Sequence, residues 1–109
     1  MAYSEAIADT MRADIGVEPG IAEKKMFGGL AFMLHGNMVC GVTKDGGMYR
    51  VGKENEAQAL ELGAGPMTFT GRKMGGMVEL DAGAFEDDAL RQKLTELSLA
   101  NAASLPPKG

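Results

Sequence analysis

The sequence predicts an α+β domain: an antiparallel sheet of about five to six strands packed by helices. Two observations carry that prediction. Apolar residues recur at helical spacing near both ends of the chain and once in its middle. Between those stretches the pattern changes to short apolar runs split by glycine-rich separators, which supply the positive φ that tight hairpin turns require. Read along the chain, the order is α-β-β-β-α-β-β-α, with room for a fourth strand in the first group.

Each element has its own signals. Ser4 can cap a first helix running to about Ile15, with Ile7, Met11 and Ile15 on one stripe and Gly16 as its stop. VEPG then makes a turn. From 22 to about 51, the runs AEKKMFGG, LAFMLH, NMVCGVT and GMYRVG are separated by Gly-Gly, His-Gly-Asn and Asp-Gly-Gly, and read as an antiparallel meander. KENEAQALELG is a second helix, with Ala57, Leu60 and Ala64 as its apolar positions and Gly63 as its stop. PMTFTGRKM and GMVEL pair as strands across GRKMGG. Asp81 opens a turn into a last helix, roughly 86 to 104, where Leu90, Leu94 and Leu97 share a stripe.

Composition narrows the function classes. A chain of 109 residues, 45% apolar and 24% charged, matches one globular domain, 1–109. Nine methionines without a tryptophan are unusual, and flexible thioethers suit a packed or shared interface. A net charge of −4 argues against the whole domain being drawn to phosphate backbones. Lys24, Lys25, Arg50, Arg72 and Lys73, with Phe27 and Tyr49 as stacking groups, make at best a local patch, so direct nucleic-acid binding is not expected. One cysteine excludes an internal disulfide. The N-terminus has neither the basic start nor the apolar run of a signal peptide, and no stretch approaches the ~20 apolar residues of a membrane span. The expectation is a cytoplasmic protein without membrane association.

The chemical candidates concentrate in KKMFGGLAFMLHGNMVCGV, residues 24–42, which holds the only histidine and the only cysteine. With Gly36-Asn37 as a two-residue loop, His35 faces Met38 and Met33 faces Cys40. His35 and Cys40 are then diagonal neighbours roughly 7–8 Å apart, with no third group to orient the imidazole. Cys40 therefore reads as a small apolar residue and His35 as a turn residue, and no catalytic residue is expected. The same register puts Leu30, Phe32, Leu34, Val39 and Gly41 on one face and Ala31, Met33, Met38, Cys40 and Val42 on the other. Both faces are apolar, whereas a solvated sheet face should alternate. Either a helix of the same chain or a second subunit must cover the second face. Met33, Met38, Cys40 and Val42 are the candidate interface residues, and a protein partner or a homodimer is the expected assembly.

Elsewhere the signals are weaker. Glu54, Glu56, Glu86, Asp87 and Asp88 sit at helix starts, where carboxylates complement the helix dipole. No metal-ligand spacing appears, GAGPMT lacks the third glycine of a dinucleotide fingerprint, and no cofactor is expected. FTGRKMGG sets Arg72 and Lys73 between glycines. Together with Arg50 they offer an alternative function as a small-anion or nucleotide site, beside the plainer reading of a hairpin loop with solvated basic residues.

KKMFGGLAFMLHGNMVCGV, followed by MYRVG, MTFTGRKMGGMVEL and a final AASLPPK, resembles the N-terminal domain of TfoX/Sxy-type competence regulators over residues 24 to 108. The resemblance implies an α+β fold of the type seen in secretion chaperones and a place among proteins linked to regulation of competence genes, with no established catalytic residues. Met26, Phe27, Gly28, Gly29, Arg50, Gly52, Gly71, Arg72, Met74 and Gly76 occupy the motif positions. The sequence departs from that pattern in one way: full-length regulators carry a second, C-terminal domain, whereas this chain stops at Gly109 straight after the first and reads as a stand-alone domain.

Overall fold

The computed structural model describes residues 4–26, 29–43, 46–69 and 72–106, with the backbone alone at 26, 68, 69 and 72–74. Its elements run α1 (Glu5–Ile15), β1 (Ile21–Met26), β2 (Gly29–Leu34), β3 (Asn37–Val42), β4 (Gly46–Arg50), α2 (Glu56–Leu62), β5 (Gly65–Phe69), β6 (Arg72–Asp81), α3 (Ala82–Phe85) and α4 (Asp88–Ser104). A 3-10 turn, Lys53–Asn55, precedes α2. The strands make one antiparallel sheet in the order β1-β2-β3-β4-β6-β5. This is the expected α+β class and element order, with the fourth strand present.

Local chemistry explains the helix boundaries. Ser4 accepts from the Ile7 amide at the start of α1, and Gly16, at φ 70°, ends it. Asp81 and Asp87 each cap a helix, accepting from the amides of Ala84 and Leu90. The last helix, expected over roughly 86 to 104, is α4, and the turn expected after Asp81 is wound into the short helix α3. In α2 the buried residue is Ala59 and Ala57 is exposed. The preceding 3-10 turn, tighter than an α-helical turn, resets the phase of the helix.

All four helices contribute to one core against one face of the sheet. Met11 and Ile15 of α1, Ala59 of α2, Phe85 of α3 and Leu90 and Leu94 of α4 meet Leu30, Phe32, Leu34, Cys40, Val42, Tyr49, Val78 and Leu80. Arg91 crosses this layer while almost wholly buried. Its guanidinium donates to Asp14 at 2.6 Å, to the Phe85 carbonyl at 2.8 Å and to Asp88 at 2.7 Å. Those bonds offset the desolvation of the ion and tie α1, α3 and α4 together. The sheet edges are blunted by Glu23, Lys24 and Lys25 on β1 and by Pro66 on β5.

The β2–β3 register corrects the expected faces. The loop is His35-Gly36, at φ 51° and 84°, so Leu34 pairs with Asn37 and Met33 with Met38. Relative to a Gly36-Asn37 loop this moves the pairing by two residues, which leaves the faces unchanged. A bulge then inserts Val39, so Phe32 pairs with Cys40 and Leu30 with Val42. That extra residue inverts the far half of β3. Cys40 and Val42 turn into the helix-covered core, both fully buried, and Gly41 turns to the other face. Neither Cys40 nor Val42 lies on an exposed interface of this chain.

The β5–β6 hairpin also differs from expectation. β6 already begins at Arg72, so most of GRKMGG is strand, with Arg72 paired to Phe69 and Lys73 to Thr68. Between the Pro66–Val78 and Thr68–Lys73 pairs, two steps along β5 match five along β6. The surplus carries Gly75 and Gly76 out towards the end of β4.

Candidate functional site

Two features stand out on the surface. The first is an open cleft of about 420 Å³ where Arg50, Val51 and Gly52 meet Gly75 and Gly76. Its frame is backbone. The Gly76 carbonyl accepts from both the Val51 and Gly52 amides, at 2.9 and 3.0 Å, and the Gly76 amide donates to Glu56 at 2.8 Å. Asn101 of α4 donates to the Arg50 carbonyl, and Asn55 to the Val51 carbonyl. Gly52, at φ 91°, lies so close to Asn101 that a Cβ there would stand 2.5 Å from its Oδ1. The RVG and MxG motif pieces therefore meet in space, as a clasp that joins β4, β6 and α4.

The side chains on this cleft carry mixed charge. Arg50 and Lys53 are its cations, and Glu54 shares the rim. The side chains of Arg72 and Lys73, expected to join Arg50 in an anion site, lie outside the described residues. Lys53, Asn55 and Asn101 line the cleft although no sequence motif singled them out. The glycines at 52 and 76 were their one indirect signal, since each marks a close approach by another segment.

The cysteine and histidine do not form a reactive pair. Cys40 points into the core, where burial pushes its thiol well above its ordinary pKa of 9.0. His35 is exposed in the β2–β3 turn with its ring over Gly20. Tyr49 is likewise fully buried, so it offers no surface for base stacking. Phe27, the other expected stacking group, lies outside the described residues. Among the described residues, no three His, Cys, Asp or Glu side chains gather as metal ligands.

The second feature is the sheet face opposite the helices. Strand alternation puts Ala22, Lys24, Ala31, Met33, Met38, Gly41, Met48, Arg50, Met77 and Glu79 on it. None of these belongs to the helix-covered core. Among the described residues no helix lies over this face. The methionines themselves give it partial cover: the methyl groups of Met48 and Met38 close over Gly41, 2.7 and 3.5 Å from where a Cβ would stand. Ala31 beside it is fully buried and Met77 nearly so, while Met33, Met38 and Met48 stay half-buried. Of the four expected interface residues, the structure brings Met33 and Met38 together here. Met48 joins them although the sequence reading left it out.

The family model described as the TfoX N-terminal domain matches residues 16–102, from the end of α1 into the last turns of α4. The chain belongs to the TfoX N-terminal domain family. No curated protein and no solved structure matches it. In this TfoX N-terminal domain the motif residues Gly52 and Gly76 have a defined structural task, holding the clasp at the end of β4. This family is not a known enzyme family, and no helix among the described residues is long and apolar enough to cross a membrane.

Proposed function

We propose that this TfoX N-terminal domain is a non-enzymatic, cytoplasmic regulatory or protein-interaction module of the competence-regulator type. It acts by presenting the open face of its sheet to another protein surface. One observation carries the reading: a contiguous face built from Ala31, Met33, Met38, Gly41, Met48 and Met77 that no described helix covers. Flexible, polarisable thioethers are well suited to packing against a partner. The alternative, a small-anion or nucleotide site, has support from Arg50 with Lys53 beside it, but Glu54 on the same rim opposes an anion.

The test is a charge placed in the middle of the face. Met48→Glu leaves the helix-covered core untouched, so the variant should fold, with a slightly lower melt from the like charge set opposite Glu79. It should abolish association, both in light scattering at high micromolar concentration and in capture from the protein's own cell extract. Identical association by the parent and a folded Met48→Glu variant would overturn the reading.

A further inference from the structure

We infer that the occupant of the open face is a second copy of this chain, paired about a twofold axis that runs along β3. This deepens the interaction-module reading and rests on it. One row of directly paired residues carries this inference. Reading across β1, β2, β3, β4 and β6, the row is Lys24, Ala31, Gly41, Met48 and Glu79. Lys24 and Glu79 each stand two strands from β3, roughly 10 Å to either side at ordinary strand spacing. Gly41 is at the centre.

Rotating a second copy about β3 reverses the row and lays it on the first. Lys24 then faces the second copy's Glu79, Ala31 its Met48, and Gly41 its Gly41. The reversed pairs repeat on the other side of the axis. Cation meets carboxylate at the ends of this row and large meets small beside them, with glycine on glycine at the axis under the Met48 and Met38 methyl groups. The neighbouring row is less evenly matched, with Ala22 over the second copy's Met77 but Met33 over its Arg50 and Met38 over its own equivalent, so the first row carries the pairing. A twofold axis across the strands instead would set Lys24 on Lys24 and Glu79 on Glu79. The charges therefore select one axis.

Two further observations agree. Lys24 and Glu79 are both exposed, and among the described residues neither makes an ion pair or a hydrogen bond. Extended lysine and glutamate side chains also span the ~10 Å that separates packed sheets. The face measures roughly 24 Å by 17 Å from strand spacing and rise, about 400 Å² on each copy, which is the size of a weak, transient interface. Dimerisation is accordingly expected only at high micromolar concentration.

Sedimentation velocity on charge-reversed variants tests this, with circular dichroism to check the fold of each. The parent should show dimer rising through that concentration range. Lys24→Glu alone, or Glu79→Lys alone, makes both symmetry-related pairs repulsive and should weaken the dimer about tenfold or more. An equimolar mixture of the two single variants should regain it, because every pair in the mixed dimer is again opposite in charge. The double variant should regain it too. A monomeric parent, single variants that dimerise unchanged, or a mixture no better than its components would each overturn the pairing. A monomeric parent whose capture of another protein is still lost in Met48→Glu would overturn self-pairing and leave the interaction-module reading standing. Met48→Glu without any effect would remove that reading itself.

Discussion

Cys40 and Tyr49 face each other across β3 and β4 inside the core, and both are held protonated by burial. Burial raises the thiol above its ordinary 9.0 and the phenol above its ordinary 10.0. The unfolded chain therefore releases these protons first as pH rises. Their contribution to stability is complete below about pH 9 and declines above it, by about 1.4 kcal/mol per pH unit for each group once its unfolded form titrates. Urea unfolding at about pH 8 and about pH 10 should show this alkaline loss. Cys40→Ala, whatever its baseline cost, should remove the part that begins with the thiol. A pH-independent midpoint over that range would contradict the burial of both groups. A lone cysteine next to a lone histidine in sequence suggests chemistry, but the structure puts one in the core and the other in a turn.

At the scale of elements, the strongest local signals were enough to place helices and hairpins. Ser4 and Gly16 bound α1 because a hydroxyl cap and a positive-φ stop act within a turn of their own position. The bulge at Val39 was not legible. VCGV is apolar at every position, so an extra residue there leaves no mark on the pattern, although it inverts Cys40, Gly41 and Val42. The start of α4 at Asp87 was half legible, since the acidic run was visible but its capping role depends on backbone geometry. The clasp at Gly52 was legible only as a motif. Its physical content is a positive φ and the approach of Asn101 from a helix 49 residues further on. Gly52→Ala should cost about 2 kcal/mol or more in urea unfolding, from backbone strain and the collision together. Adding Asn101→Ala should recover only the collision, so a full recovery would show that the φ requirement is absent.

At the scale of the molecule, the helices occupy one side of a six-stranded sheet and leave the other side to methionines. That both faces of β2 and β3 are apolar was readable from composition alone. The identity of the cover was not, because it depends on whether any helix crosses to the second side. Nor could the sequence show that Lys24 and Glu79, 55 positions apart, lie on the same cross-strand row. The row exists only once β6 takes its place beside β4. In the proposed pairing this face meets its own copy along β3. A single cysteine at position 38 tests that claim, since β3 lies on the proposed axis and the native Cys40 is too buried to react. Treated with a short bis-maleimide at concentrations where the dimer forms, folded Met38→Cys should give a covalent dimer on a denaturing gel, and Met48→Glu in the same chain should abolish it. Folded Met38→Cys that stays monomeric on the gel, or that cross-links equally well with Met48→Glu present, would contradict the account.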